Sequence, residues 1–187
     1  MSGRLILVTG GSGSGKSAFA EQLLLGQAPG RAVYLATMER RGEEAEERVA
    51  RHRAMRERHG AAAGRRFVTL ERPTDIGGAA VAAGDAVLLE DLGNLLSNEI
   101  WSPAGAGEGA EDAILSGIAA LLERAALLVV VSNEIFSDGC DYDKGTLQYI
   151  RGLGRLHQAL AQRAGAVVEV VCGLPVWKKG GPPSART

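Results

Sequence analysis

Leu5-Ile6-Leu7-Val8-Thr9-Gly10-Gly11-Ser12-Gly13-Ser14-Gly15-Lys16-Ser17 opens the chain and decides its fold. Four consecutive apolar residues run into a complete GxxxxGK[ST] pattern from Gly10 to Ser17. Glycines let successive backbone N–H groups turn inward with no Cβ in the way, and the helix that must follow turns its positive end toward the same point. Gly10, Gly11, Ser12, Gly13, Ser14 and Gly15 are therefore expected to cradle phosphates. Lys16 should reach the β- and γ-phosphates, and Ser17 should offer its hydroxyl to Mg²⁺. A Gly/Ser turn matching by chance is the competing reading. The strand before and the helix after, predicted to about Leu25, weigh against it.

Outward from this loop, short apolar runs alternate with helical patterns. Ala32–Ala36, Arg66–Leu70, Ala86–Leu89, Leu127–Val131 and Val167–Val171 are further strand candidates. Their unbroken apolar character suits strands covered on both faces, as in a mainly parallel sheet. The rhythm predicts a three-layer α/β P-loop NTPase fold of the RecA-like kind. Helices are expected over Ala110–Arg124 and Tyr142–Arg163, the latter with Leu147, Ile150, Leu153, Leu156 and Leu160 near helical spacing. Glu43–His59 is strongly charged and helix-favouring, with Glu44/Arg48 and Glu47/Arg51 in the better i,i+4 orientation. Ser102–Gly109 reads as a surface loop. The expected organisation is one catalytic domain, 1–177, and a flexible tail, 178–187.

The 187 residues are 45% hydrophobic and 23% charged, which places the chain among globular proteins able to bury a core. A formal net charge of -1 and 4% aromatic residues give no electrostatic or stacking case for nucleic acid. Cys140 and Cys172 are far apart and read as reduced thiols. No signal-peptide pattern and no run of about 20 apolar residues is present, so a cytoplasmic protein without a membrane span is expected.

A P-loop needs an acid at the end of a neighbouring strand to hold the metal's water shell. Ala86-Val87-Leu88-Leu89-Glu90-Asp91 supplies two, Glu90 favoured and Asp91 its rival, since alternation turns one of them away. The strand from Leu127 ends in Ser132-Asn133-Glu134-Ile135, without the Asn-Lys-x-Asp segment by which G proteins read guanine. His52 shares a helical face with Arg48 and Arg56. Such a face suits phosphates and offers an imidazole nucleophile. From the residues alone, a solvated charged helix with an incidental histidine is the favoured reading. His59 and His157 read as surface or packing histidines.

Taken in order, LILVTGGSGSGKSAFAEQL, VYLATM, RVARHRAMR, VTLE, LLEDLGNLLSNE, VVVSNE, LGRLHQALAQRA and VVCGLPVWKK resemble the bifunctional adenosylcobinamide kinase / adenosylcobinamide-phosphate guanylyltransferase family, from Leu5 to about Lys179. The resemblance implies phosphorylation of a corrinoid, adenosylcobinamide, with ATP or GTP, then transfer of GMP from GTP to that phosphate through a GMP–histidine intermediate. It makes His52 that histidine, with Lys16 and Glu90 as its catalytic companions and Mg²⁺ on Ser17 and Glu90. It extends the nucleotide contacts to Leu35, Ala36, Thr37, Arg53, Ala54, Met55, Arg56 and Glu71, and it implies a homotrimer. Thr37 as a strand-end cap, Glu71 as a solvated terminus, and Asn133 and Glu134 as loop ties are the plainer readings.

The chain departs from the family at several points. Gly13 stands where members often carry arginine, and Asp91 where many have cysteine. Gly93-Asn94 replaces a threonine-containing stretch, and Phe136–Asp143 replaces a GIVP segment, a region expected to meet the corrinoid or a neighbouring subunit. Two rivals follow: a P-loop kinase of another small metabolite, and a nucleotide-responsive binding protein without catalysis.

Overall fold

Alternation along the strands builds the architecture of the computed structural model, which describes residues 3–39, 54, 57–58, 60–61, 64–136 and 141–182. In β1 (Arg4–Gly10), Leu5 and Leu7 enter one apolar cluster while Ile6 and Val8 enter another. β2 (Ala32–Ala36) splits the same way, with Val33 and Leu35 against Ala32 and Tyr34. So do β4 (Ala86–Glu90) and β5 (Leu127–Asn133). Successive side chains point to opposite faces, so runs apolar at every position need cover on both. α1 (Lys16–Gln27) supplies it on one face through Ala20, Leu24 and Leu25. On the other lie α2 (Leu92–Trp101), α3 (Ala110–Arg124) and α4 (Lys144–Arg163), with Leu95, Leu96, Ile114, Ile118, Leu153 and Leu156 buried. This is the expected three-layer α/β fold.

The sheet has seven strands in the order β3-β2-β4-β5-β1-β6-β7, where β3 is Phe67–Glu71, β6 Ala166–Val171 and β7 Leu174–Lys179. All neighbours are parallel except β6 and β7. The parallel register sets Gly10 of β1 beside Asn133 of β5, and Ala36 of β2 between Glu71 of β3 and Glu90 of β4. Carboxyl ends of adjacent parallel strands make the crevice in which α/β folds hold ligands.

Three features differ from the sequence expectation. α2 stands where no helix is predicted: Asp91 caps it, accepting from the Asn94 N–H at 2.7 Å. β7 likewise was not expected. It turns back from β6 through Cys172 (φ 51°) and Gly173 (φ 80°), a two-residue reversal with both central residues left-handed. The strand runs through Lys179 and so takes in the first two residues of the expected tail, 178–187. There Lys178 pairs with Glu169 at 2.9 Å, and Lys179 Nζ donates to the Ala161 and Gln162 carbonyls. Strand and helix ends otherwise shift by one or two residues, and Asp143 rather than Tyr142 begins α4 by accepting from Gly145 and Thr146 N–H. No helix among the described residues is long and apolar enough to cross a membrane.

Candidate active site at the carboxyl ends of β1, β4 and β5

The phosphate loop sits where β1 ends and α1 begins. Gly15 holds φ at 87°, which glycine adopts without strain, and Lys16 starts the helix immediately after it. Gly10 is required for a different reason: a β-carbon there would lie 2.6 Å from the Val170 carbonyl oxygen of β6. The β6–β7 turn also braces the loop from outside, since the Gly173 N–H donates to the Ser14 carbonyl at 2.8 Å. The cradle is thus pinned by the sheet beneath and a hairpin at its side.

Parity settles which acid faces it. Glu90 follows Ala86 and Leu88, both packed on the α1 side, so it projects toward that helix. The Ser17 hydroxyl donates to Glu90 Oε1 at 2.6 Å. Glu90 Oε2 is closed off from solvent and has no hydrogen-bond partner among the described residues. Burial, with the neighbouring Asp91 charge second, pushes the Glu90 carboxyl up to about 8, against the opposing pull of the Ser17 hydrogen bond and Lys16. Glu21, buried one turn along α1 from Ser17, adds to that rise. Glu21 is absent from the sequence-predicted site, although its i+4 spacing from Ser17 is legible in the chain. Lys16 is itself buried, its ammonium donating to the Gly11 carbonyl at 3.1 Å.

A hydroxyl and a carboxylate oxygen lacking a partner suit a hard divalent cation. Mg²⁺ commonly keeps only one or two protein oxygens, the rest coming from water and phosphates. In that role Ser17 Oγ and Glu90 would hold it beside the cradle. Asp91 turns to the other face and caps α2.

Thr37 does more than cap a strand. Fully buried, its hydroxyl accepts from the Asp91 N–H at 2.8 Å and lies 3.0 and 2.8 Å from the Glu90 and Asp91 carbonyls. The peptide joining those two residues is cis. Asn98 Nδ2 donates to the Thr37 and Pro73 carbonyls, so α2 is tied to the end of β2. Among the other expected contacts, Glu71 is exposed at the end of β3, Ala36 is half-buried, and the Leu35 side chain is wholly within the core. Ala54 is helical and exposed. His52, Arg53, Met55 and Arg56 lie outside the described residues, as does His59.

At the end of β5, Glu134 N–H donates to the Gly10 carbonyl at 2.9 Å, and its Oε1 accepts from Phe136 N–H. Glu134 is a loop tie, in keeping with the plainer reading. Ser132, fully buried, lies 2.7 Å from His157 Nε2, and the Phe136 ring meets that imidazole edge-on. Burial lowers the His157 pKa, partly countered by Glu134. His157 is therefore a packed histidine, as read from the sequence. Among the described residues no group of three or more His, Cys, Asp or Glu is assembled as a metal cage.

Comparison with known proteins adds the chemistry. Residues 6–177 match the cobinamide kinase / cobinamide phosphate guanyltransferase family. A bifunctional adenosylcobalamin biosynthesis protein of Pseudomonas aeruginosa is 33% identical over 181 residues, covering 94% of this chain and 98% of that protein. Its Salmonella typhimurium counterpart is 33% identical over 186 residues, covering 92% and 98%. Among solved structures, the flagellar accessory protein FlaH of Methanocaldococcus jannaschii superposes with TM-score 0.49 at 13% identity, covering 99% of this chain and 83% of that one.

Proposed function

The chain belongs to the cobinamide kinase / cobinamide phosphate guanyltransferase family, and we propose that it acts as a bifunctional transferase of adenosylcobalamin biosynthesis. It phosphorylates adenosylcobinamide and then transfers GMP from GTP to the product. The observation that carries this reading is the Lys16–Ser17–Glu90 constellation, assembled in a chain that matches the family along nearly its whole length.

In the first reaction the acceptor hydroxyl oxygen bonds to the γ-phosphorus of ATP or GTP. The bond to the bridging oxygen breaks and the nucleoside diphosphate leaves, while the hydroxyl loses its proton. Lys16 and the loop N–H groups stabilise charge on the phosphate oxygens, which is where catalysis of phosphoryl transfer resides. Mg²⁺, held by Ser17 and Glu90 in this reading, would neutralise the β- and γ-oxygens when bound. In the second reaction an imidazole nitrogen of His52 bonds to the α-phosphorus of GTP and pyrophosphate leaves. A phosphate oxygen of adenosylcobinamide phosphate then displaces the histidine and takes the GMP. Arg53 and Arg56 follow His52 closely in sequence and are assigned to the phosphate chain. A homotrimer and a cytoplasmic setting complete the proposal. The apolar outer strand β7, with Leu174 and Val176 exposed, offers a surface for assembly.

Incubating the protein with Mg²⁺, adenosylcobinamide and γ-labelled nucleotide tests the first step. Label should enter the corrinoid, and subsequent GTP should convert the product to adenosyl-GDP-cobinamide with pyrophosphate released. Nucleotide binding with no label transferred would overturn the reading.

A further inference from the structure

The strand order β4-β5-β1 sets β5 between the two strands that carry the phosphate machinery, one ending in Glu90 and the other in Gly10. The last residue of β5 is Asn133, the register partner of Gly10. Its neighbours in the chain are committed. Ser132 lies 2.7 Å from His157 Nε2 on the α4 face, and the Glu134 N–H donates to the Gly10 carbonyl at 2.9 Å. Asn133 is not. Its side chain is half-buried, and Nδ2 donates to no group among the described residues. An amide carries two N–H donors, so the end of β5 presents an uncommitted donor between the phosphate loop and the metal acid.

Several observations set that donor at the γ end of a bound nucleotide. Val131 packs on the α1 face and Ser132 enters the α4 face, so alternation returns Asn133 to the side of Glu90 and α1. Its amide nitrogen stands at the crest of the sheet, 3.8 Å from the point where a β-carbon on Gly93, in the first turn of α2, would lie. The rest of that junction is filled. Tyr149 Oη and Asp91 Oδ1 are 2.8 and 3.2 Å from the same point, and the Trp101 indole stacks on the Tyr149 ring. Packed groups thus stand on the α2 side of the amide, and the strand of the phosphate loop lies on the other. The loop itself has room beside it, since a β-carbon on Gly11 or Gly13 would meet no atom within 4 Å. The Gly11 carbonyl, one residue past the partner of Asn133, receives the Lys16 ammonium. Lys16 and Ser17 mark the β- and γ-phosphate end of a nucleotide. Glu90 Oε2, buried without a partner among the described residues, marks the metal beside it.

We propose that Asn133 is a further catalytic residue of the kinase reaction, its side-chain amide donating to a γ-phosphate oxygen of the phosphate donor. This rests on the nucleotide reading above and deepens it. Phosphate oxygens are acceptors, and an amide donates to them without a charge that titrates. As the γ-phosphorus parts from the bridging oxygen and bonds to the acceptor oxygen, the amide keeps its hydrogen bond to a non-bridging oxygen and moves no proton. A nucleoside diphosphate lacks that oxygen and leaves the donor free. Asn133 therefore distinguishes the triphosphate substrate from the diphosphate product.

Calorimetry tests this without a corrinoid, by measuring the Kd of the β,γ-imido analogue of ATP and that of ADP, each with Mg²⁺. In Asn133→Ala the analogue should bind roughly tenfold more weakly, the size of one hydrogen bond to a charged group. ADP should bind as it does to the wild-type protein, which also shows that the variant is folded. Asn133→Asp keeps the shape of the side chain but turns a carboxylate toward the γ-phosphate charge, so it should lose still more of the preference for the analogue over ADP. Unchanged Kd values for both nucleotides in both variants would overturn the proposal. An equal loss for analogue and ADP would overturn it too, because Asn133 would then only support the loop. A wild-type protein that binds neither nucleotide is a distinct result, which removes the nucleotide reading and this proposal together.

Discussion

The two sides of the crevice are built on different physical terms. On the nucleotide side the loop is braced, with Lys16 bonded to the Gly11 carbonyl, Ser17 to Glu90, the Ser14 carbonyl to Gly173 and the Gly10 carbonyl to Glu134, while Ser14 Oγ and Glu90 Oε2 are closed off from solvent without a partner among the described residues. On the Gly93 side, Tyr149 keeps a hydroxyl without a hydrogen bond among the described residues, and Trp101 keeps one face in solvent. A preorganised cradle costs little rearrangement when charge develops on a phosphate, which is what electrostatic catalysis requires. A surface with uncommitted donors and an open ring is suited to gripping a large partner that brings its own contacts. One crevice thus joins a braced cradle to a neighbouring surface that keeps an aromatic face in solvent.

Breaking the nucleotide side should have the largest consequences. Lys16→Ala is expected to slow both phosphorylation and guanylylation by about 100- to 1,000-fold, the typical effect of losing one electrostatic contact to a transition state. Steady-state assays of the two reactions check this. A variant that lost only one activity would show that the transfers use different cradles.

Glu90→Gln sharpens the comparison through pH. With its carboxyl raised to about 8, Glu90 holds a proton at neutral pH until a cation displaces it. Binding of Mg²⁺–nucleotide should therefore release close to one proton at pH 7 and tighten as pH rises toward 8, as read by calorimetry in buffers of differing ionisation enthalpy. The sign for stability is the reverse. Between the unfolded value of 4.5 and about 8 the folded protein binds more protons than the unfolded chain, so the ligand-free protein loses stability as pH rises through that window. Glu90→Gln keeps an oxygen for the Ser17 hydroxyl and removes the titration. It should abolish the proton release, weaken metal-dependent binding, and raise the Tm of the ligand-free protein above pH 8.

Thr37→Val addresses the seam between the two sides. Its hydroxyl bonds at the Glu90–Asp91 junction, where the carboxyl that meets Ser17 parts from the one that caps α2. Leaving a buried Asp91 N–H unpaired should cost about 1–3 kcal/mol of stability in denaturant titrations. Both activities should fall together, by less than in Lys16→Ala.

The sequence disclosed these regions unequally, and the reason is physical. Gly10–Ser17 is a contiguous backbone device, so spacing alone places it. Glu90 follows from the period-two alternation of Ala86–Glu90. α2 is not predicted because Gly93 and Asn94, both weak helix formers, stand near its start, and the Asp91 that caps it is weighed in the sequence as a metal acid. β7 was missed because its reversal uses Cys172-Gly173 rather than an Asn-Gly pair, and Pro175 marks it as a strand that only a sheet edge tolerates. The meeting of Tyr149, Asp91 and Asn133 joins three elements distant in sequence, which no local pattern encodes. The charged helix around His52 stands as a sequence expectation, with Ala54, Glu57, Arg58, Gly60 and Ala61 helical at its described positions.

If the proposed function holds, one phosphate cradle serves transfer from both ends of GTP's phosphate chain, with His52 carrying GMP between them. Incubation of wild-type protein and His52→Ala with Mg²⁺ and GTP labelled at the α-phosphate, in the absence of corrinoid, tests it most directly. The account predicts an acid-labile, base-stable label on the wild-type protein that is missing from His52→Ala, while that variant still phosphorylates adenosylcobinamide. Label retained in His52→Ala, or a wild-type protein that phosphorylates the corrinoid but never carries label, would contradict it.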